Sequence, residues 1–470
     1  MKSNPTTLWG VAVLAAGVWM GTESFVPDGR VNPDDYTVLM AVDAPLPSGC
    51  QRFQHGGHGK FYVEGWTRPE QVFRWEVDVP ETDEYAVNVL ARPRHKAALT
   101  VKVSCADQSV TGRVACAGWR RQVLDGTLRL LSGRQTITLE AVGTNFAASV
   151  MSVELVRPVV RERLQKAARA LRSDTGWMIQ ARYGVMVHWT SQSFPRHGPR
   201  KPYDEAVRMF DVDRFADQVE ATGAGFLVFT TSHAEMYFPS PVQSLERILP
   251  GRTTARDLVG ELAAALEKRG VKLMLYYHPG AGSDATWLRA CGFWESDTRK
   301  FFGNWMAVIG EVGERYRDKL AGWWFDDGAI SYYYRSAPWK ELTRFAKAGY
   351  SQRVVGYNPW ELPVPTLFQD FHCGEGFTDP NDERAHQDGL TACATLVTEG
   401  DWGHFQQDRE IGCPRWTAEQ LGRHLQQFAA RRVVPIFNLE IYQDGALSPR
   451  SIAMFQEALG KRHSDERKSS

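Results

Sequence analysis

Acidic and imidazole side chains recur in the second half of the chain, at the points where short apolar segments end. They are His188, His233, His278, Asp326, Asp327, Glu375, Glu399, Asp401 and Glu440. Two carboxyl groups can cleave a glycosidic bond, because one protonates the leaving oxygen while the other attacks the anomeric carbon or activates water. The pattern therefore favours sugar hydrolysis, provided that the fold brings two of these acids together.

Asp326 and Glu375 are the predicted pair, since they follow different segments and can face each other across a substrate. Asp327 is the alternative to Asp326, and Glu399 and Glu440 are alternatives to Glu375. A structural ion pair or a helix N-cap would use the same residue types, so the residues alone leave both interpretations open.

The composition suits a sugar ligand. The chain contains 16 Trp, 15 Tyr and 23 Phe, and flat aromatic rings match the faces of sugars, although they also fill cores. The 55 Lys and Arg are balanced by 55 Asp and Glu, so a nucleic-acid partner is not expected. The seven cysteines include no Cys-x-x-Cys pair and no spacing typical of a zinc site.

The three histidines have two interpretations. Imidazole nitrogens at neighbouring strand ends can hydrogen-bond sugar hydroxyls. Together with Asp326, the same His188, His233 and His278 could instead hold a metal ion in a metal-dependent barrel hydrolase.

Eight apolar segments, most of them followed by an amphipathic helix, must position these residues. They span 183–189, 225–233, 272–278, 322–328, 353–360, 367–373, 392–398 and 433–440. Helix signals between them include leucines at 258, 262 and 266, a Thr417-x-x-Gln420 capping box and Ser448-Pro449. Eight such strands predict a (β/α)8 TIM-type barrel over 175–462, with a proline-containing, helix-free connection between the fifth and sixth strands.

The first part of the chain follows a different pattern. Over 25–158, short strands such as Phe73–Val79 alternate apolar and polar residues, which predicts a jelly-roll-like β-sandwich. A connecting helix is predicted over 159–174 and a disordered tail over 463–470. Lys2 and the 13 apolar residues from Leu8 to Met20 predict a signal peptide over 1–24. We therefore expect export to the periplasm or the extracellular space, with no membrane association after cleavage.

Six segments, taken in order over about 175–460, resemble glycoside hydrolase family 29, the α-L-fucosidases. They are YGVMVHW, GAGFLVFTTSH, RDLVGELAAALEKRGVKLMLYY, WWFDDG, DFHCGE and NLEIYQDGALSP. The resemblance implies a retaining, exo-acting mechanism on oligosaccharides or polysaccharides, with Asp326 as nucleophile, Glu375 as acid/base and no cofactor. Retention predicts carboxyl groups about 5 Å apart, against more than about 6.5 Å for inversion.

The resemblance also implies that His188, His233, Tyr277 and Trp324 bind the sugar. Trp189, Glu235, His278 and Trp402, at the same or neighbouring strand ends, complete the predicted substrate-binding set. In the N-terminal domain, LLSGRQTITLEAVGTN and SVMSVELV are similar to strands of carbohydrate-binding modules. Such modules often hold a structural calcium ion. The alternative role of this domain is a structural cap for the barrel.

The chain departs from the family pattern at several positions that bear on function, including two next to predicted site residues or strand ends. Ala234 follows His233 where the family has a second histidine, and Asn358 stands where an arginine is expected. Two alternatives therefore remain beside a fucosidase-like enzyme. They are a non-catalytic carbohydrate-binding protein with a degenerate barrel and the metal-dependent hydrolase.

Overall fold

The computed structural model describes residues 29–54, 60–94, 99–114, 119–280, 283–295, 297–326, 337–360, 362, 364–375, 379–381 and 389–466. The predicted signal peptide over 1–24 and Asp327 lie outside the described residues. No helix within these ranges has the length and the apolar character needed to cross a bilayer.

The N-terminal domain is built from antiparallel strands. They are β1 (Thr37–Met40), β2 (Gln51–Gln54), β3 (Lys60–Trp66), β4 (Phe73–Val79), β5 (Asp83–Pro93), β6 (Leu99–Cys105), β7 (Gln108–Val114), β8 (Arg120–Leu130), β9 (Gly133–Val142) and β10 (Ala148–Val156). The order is β2-β3-β10-β5-β8-β7-β6-β9-β4, with β1 beside β10. The β7–β8 contact is made through Thr111 and Asp125, so the strands divide there into two halves. Trp75 on β4 donates to the Met40 carbonyl on β1 across the two halves (2.9 Å), as in the predicted sandwich.

The second domain is the predicted barrel of parallel strands. They are β11 (Gly184–Val187), β12 (Phe226–Thr230), β13 (Lys272–Tyr277), β14 (Leu320–Phe325), β15 (Val354–Tyr357), β16 (Phe371–His372), β17 (Thr391–Val397) and β18 (Val433–Leu439). The hydrogen-bonded order is β15-β14-β13-β12-β11-β18-β17-β16, which leaves β15 and β16 at the two ends of the sheet. All eight predicted barrel strands are confirmed.

Helices lie before, between and after the barrel strands, and most cover the outside of the sheet, whereas Met178 in the short helix over 176–181 packs in the barrel interior. They are α1 (Pro158–Leu171), α2 (Gly176–Ala181), α3 (Tyr203–Met209), α4 (Val212–Ala221), α5 (Gln243–Ile248), α6 (Leu258–Glu267), α7 (Ala285–Ala290), α8 (Arg299–Tyr316), α9 (Trp339–Ala346), α10 (Ala418–Ala430) and α11 (Pro449–Glu466). The predicted capping box of Thr417 and Gln420 is present at the start of α10. The last helix continues to Glu466, into the segment predicted as a tail.

The barrel closes between β15 and β16 through one residue rather than a full strand ladder. The Asp370 N–H donates to the Val355 carbonyl, and its carboxylate accepts from the Val355 N–H, both at 2.8 Å. A Cβ at Gly356 would lie 2.5 Å from the Phe371 ring, so a glycine is required for this approach. None of the residues described between Tyr357 and Phe371 is helical, in agreement with the prediction for this connection.

Side chains alternate between two buried layers along each barrel strand. Met274, Tyr276 and Trp324 belong to the cluster that fills the barrel interior. Their sequence neighbours Tyr277 and Trp323 pack in the outer layer, between the sheet and the helices. Residues of one strand therefore face either the barrel axis or the helices, and those at the carboxyl ends that face the axis form the site.

Candidate active site

Asp326 lies directly after β14 at the centre of the site. It faces the same side of the strand as Trp324, and only 8% of its surface is exposed. Tyr276 donates its hydroxyl to Oδ2, while Asn358 Nδ2 (2.9 Å) and Trp360 Nε1 (3.3 Å) donate to Oδ1. The carboxylate is thus held from three sides by side-chain donors.

These surroundings keep Asp326 ionised. Burial by itself raises the pKa of a carboxyl group, because the charged form loses its hydration. The charge interaction with His278 and the hydrogen bond from Tyr276 outweigh this effect, and the pKa of Asp326 lies below its usual value. An ionised, oriented carboxylate is what a nucleophile or a metal ligand requires.

Glu375 is the second carboxylate at this point of the barrel. It follows β16, pairs with Thr395 of β17 through its backbone and is half-buried. Its Oε2 accepts a hydrogen bond from Asn358 Nδ2, the nitrogen that also donates to Asp326. Since each hydrogen bond spans about 3 Å, the two accepting oxygens lie within about 6 Å of each other. The predicted pair is therefore brought together.

The three predicted histidines form one side of the site. The ring of His233 lies 5.4 Å from that of His188 and 5.6 Å from that of His278, centroid to centroid. Burial, together with the charge interaction with His233, lowers the pKa of His188 to about 3. The His188 ring is therefore neutral.

The tautomer of His188 follows from its partner, Asn438. Asn438 Nδ2 donates to the Trp402 carbonyl (2.8 Å), which leaves Oδ1 to accept from His188 Nδ1 (2.7 Å). The proton of His188 is therefore on Nδ1, and Nε2 presents a hydrogen-bond acceptor. A neutral acceptor of this kind suits a sugar hydroxyl.

Three more predicted residues lie near these histidines and Tyr276. Trp402 packs with its ring 5.2 Å from His188, and Trp324 stacks on Tyr276 at 5.1 Å. Glu235 follows His233 in the loop after β12 and accepts a hydrogen bond from Ser191 (2.6 Å). Together these rings and oxygens give the aromatic and polar walls expected around a sugar.

Two predicted substrate-binding residues are not brought into the site. Trp189 is fully buried against Phe210 and Phe229, and its indole N–H is taken by the Gln443 carbonyl (2.9 Å). Tyr277 packs beside Trp323 in the outer layer, with its hydroxyl buried and without a partner. Strand alternation is the reason for both placements, and Tyr276 occupies the position expected of Tyr277.

Glu399 and Glu440, the other acid/base candidates, are engaged elsewhere. Glu399 accepts from the Ser451 hydroxyl (2.5 Å) and the Glu440 N–H (3.0 Å). Burial raises its pKa to about 7. Glu440 accepts from the backbone N–H groups of the loop after β17 (Gly400 and Asp401, both 3.0 Å) and from the Arg409 guanidinium (2.6 Å). Both carboxylates hold backbone in place.

The predicted catalytic and substrate-binding residues do not include Asn358, Trp360, Tyr276 or Asn438, although the strand-end aromatic residues Tyr276 and Trp360 are among those expected to surround the site. Each lies within the last three residues of a predicted strand, so the strand-end rule that selected the acids could have selected them too. Within the described ranges, no group of three or more His, Cys, Asp or Glu side chains is arranged to hold a metal ion.

A family model described as Alpha-L-fucosidase matches residues 202–458, more than half of the chain. The tissue α-L-fucosidase of Bos taurus is 32% identical over 136 residues, which cover 22% of this chain and 28% of that protein. The tissue α-L-fucosidase of Homo sapiens is 28% identical over 167 residues, covering 28% and 35%. The matches thus span about a third of the length of these curated relatives.

Two solved α-L-fucosidase structures have a similar fold. The α-L-fucosidase AlfC from Lactobacillus casei, in complex with α-L-fucose product, is 19% identical with a TM-score of 0.46, and the alignment covers 62% of this chain and 98% of that one. A GH29 α-L-fucosidase from Bacteroides thetaiotaomicron is 17% identical with a TM-score of 0.47, covering 62% and 74%.

Proposed function

Because this chain belongs to the α-L-fucosidase family of glycoside hydrolases, we propose that it removes a terminal α-L-fucosyl residue from oligosaccharides by a retaining double displacement. The observation that carries the proposal is the pairing of Asp326 and Glu375 by one amide nitrogen. Accepting oxygens within about 6 Å of each other fit the spacing of retaining enzymes better than the 6.5–9.5 Å that inverting enzymes use to seat a water.

In the first half of the reaction, Asp326 attacks the anomeric carbon and forms a covalent ester with it. The bond from that carbon to the leaving oxygen breaks, and the leaving oxygen takes the proton of Glu375. In the second half, Glu375 removes a proton from water, the water oxygen attacks the anomeric carbon, and the ester to Asp326 breaks. The net change is hydrolysis with retained configuration.

Neighbouring groups would bind the sugar. His188 Nε2 accepts from a hydroxyl, and the Trp324 indole N–H, buried and without a partner, is available as a donor. His233, His278, Glu235 and Trp402 are proposed as further contacts. No metal or cofactor enters these steps. We also propose that the protein is exported and that its N-terminal domain binds carbohydrate or calcium.

The test is release of p-nitrophenol from a panel of aryl α- and β-glycosides, including the α-L-fucoside, with and without a chelator. We expect chelator-resistant cleavage of the fucoside, with α-L-fucose as the first product detected by proton NMR. Asp326→Ala should lower kcat by roughly 10⁴-fold, the size typical of removing a group that acts in the chemical step. Added azide should then restore turnover and give the inverted β-fucosyl azide.

The matched control is Asp444→Asn, which changes an exposed carboxylate paired with Arg214 in the loop after β18. It should retain wild-type turnover. Absence of activity on every fucoside would reject the proposal, and inactivation by the chelator would favour the metal-dependent alternative.

A further inference from the structure

The turn that follows β15 fixes the orientation of one buried amide. The Trp360 N–H donates to Asn358 Oδ1 (3.1 Å), and Asn358 is fully buried. Trp360 adopts a left-handed backbone conformation with φ of 53°, which few residues other than glycine adopt. A backbone N–H can only donate, so the oxygen of Asn358 must face Trp360 and its nitrogen must face the carboxylates.

The nitrogen of Asn358 serves both acids at once. It carries two hydrogens, of which one points to Asp326 Oδ1 (2.9 Å) and the other to Glu375 Oε2. Trp360 contributes a second donor, its indole N–H, to Asp326 Oδ1 (3.3 Å). The turn therefore supplies one donor shared by both carboxylates and one directed at Asp326.

We infer that Asn358 is a catalytic hydrogen-bond donor to both carboxylates. During the reaction the negative charge passes from Asp326 to Glu375 and back, and Asn358 stabilises it on each carboxylate in turn. This inference rests on the proposed retaining mechanism. When Asp326 forms the ester it loses its charge, and Glu375 gains a charge as it releases its proton to the leaving oxygen. The second half-reaction reverses both changes.

The advantage of a shared donor is electrostatic. A hydrogen bond to an ionised group is stronger than one between neutral groups. Since Asn358 already donates to both acids, its stronger bond moves from one carboxylate to the other without a change of position, and a fixed donor of this kind needs no reorganisation during the reaction. The burial of the amide and the contact with Trp360 N–H keep it in this orientation.

The experiment compares Asn358→Ala with Trp360→Phe on two aryl α-L-fucosides. In one substrate the leaving group is 2,4-dinitrophenolate, which departs without being protonated. In the other it is phenolate, which must be protonated by the acid as it departs. Asn358→Ala should lower kcat/KM by about 10²-fold or more on the phenyl substrate, as for loss of one transition-state donor. The loss should be at least about tenfold smaller on the dinitrophenyl substrate, for which charge on Glu375 does not develop in the first step.

Trp360→Phe removes only the donor directed at Asp326 and keeps the backbone N–H. Trp360→Phe should lower kcat/KM by the same factor for both substrates. Asn358→Asp, which keeps an oxygen for the Trp360 N–H, is the second variant if Asn358→Ala does not fold. In both Asn358 variants the acidic limb of the pH profile should move to higher pH, because the hydrogen bond from Asn358 is one cause of the low pKa of Asp326.

The structural control is Asn304→Ala on α8, where the amide donates to the Cys291 carbonyl (3.1 Å). It should leave kcat/KM on both substrates unchanged. Equal losses on the two substrates with Asn358→Ala, or an unmoved acidic limb, would overturn the shared-donor role while leaving the proposed function standing. A wild-type protein that cleaves no fucoside would overturn both.

Discussion

Two sides of the carboxyl-terminal end of the barrel each carry a pair of carboxylates, and the two pairs are held in different ways. On the β14–β16 side, Asp326 receives hydrogen bonds from the side chains of Tyr276, Asn358 and Trp360. On the β17–β18 side, Glu440 receives them from backbone N–H groups and from an arginine. Both arrangements satisfy a carboxylate, but the second binds it to the backbone of a loop and to a guanidinium.

Under the proposed function, this difference predicts that burial at a strand end does not by itself identify a catalytic acid. A carboxylate bonded to backbone N–H groups stabilises a loop, and moving it would disrupt that loop. A carboxylate held by side-chain donors is oriented without being needed for the local backbone, so its charge can change during a reaction. Substitutions on the two sides should therefore have opposite signatures.

The largest contrast is expected between Glu375→Gln and Glu399→Gln. Loss of a general acid/base should lower kcat by roughly 10²- to 10⁴-fold on substrates whose leaving group needs a proton. Glu399→Gln should keep kcat within about threefold, because the hydrogen bonds of Glu399 are made with the Ser451 hydroxyl and the Glu440 backbone. Steady-state kinetics on the phenyl and dinitrophenyl fucosides measures both effects.

Thermal melting of both variants is the control for folding. If Glu399→Gln were the inactive variant and Glu375→Gln active, the assignment of the two sides would be reversed.

A smaller contrast is expected between two adjacent tyrosines on β13. Tyr276→Phe removes a hydrogen bond to the charged Asp326 and should lower kcat by about 10- to 100-fold, equivalent to roughly 1.5–3 kcal/mol. Tyr277→Phe should leave kcat unchanged, because its hydroxyl is buried in the outer layer without a partner. Kinetics on p-nitrophenyl α-L-fucoside, with urea unfolding of both variants, separates the two residues.

Tyr277→Phe is the matched control, because it makes the same Tyr→Phe change at the neighbouring position. The free energy of unfolding of this variant should not fall. A loss of activity with Tyr277→Phe equal to that with Tyr276→Phe would contradict the assignment of the inner and outer layers.

The smallest effect concerns stability on the β17–β18 side. Burial raises the pKa of Glu399 from 4.5 to about 7. Between these values the folded state retains a proton that the unfolded state has lost, so the free energy of unfolding falls as pH rises through this window. The total loss is roughly 3 kcal/mol at most. Glu399→Gln should therefore become stabilising relative to wild type as pH rises from 5 to 8.

Urea titrations at several pH values, each compared with wild type, give this difference directly. Glu375→Gln is the comparison variant from the other side of the rim. A difference between wild type and Glu399→Gln that does not change with pH would mean that Glu399 is already ionised at pH 5.

The barrel strands could be predicted because each is a short apolar run bounded by polar residues and helix signals. What the pattern could not give is the direction of each side chain. Both faces of a parallel barrel strand are buried, so apolar residues occupy both and the alternation that marks a half-exposed strand is lost. The choice between Tyr276 and Tyr277, and the placement of Trp189 outside the site, depended on that missing information.

The acid pair was predicted from residue type and position, but its partners were not. Asn358 and Trp360 lie in a turn between strands, where an amide and an indole are common for many reasons. Their role depends on contacts with Asp326, 32 and 34 residues away, and with Glu375, 17 residues away from Asn358. No local pattern records contacts over such distances.

By itself, the sequence determined the two architectures, the order of the strands and which acids stand at the barrel rim, because these follow from short-range periodicity and from residue type. Only the tertiary structure decided which acids meet. Closure of the barrel at Asp370 brings β16 beside β15, and this sets Glu375 against the amide that also holds Asp326. The same folding directs Glu399 and Glu440 to backbone groups, since the partners of a buried carboxylate are set by packing.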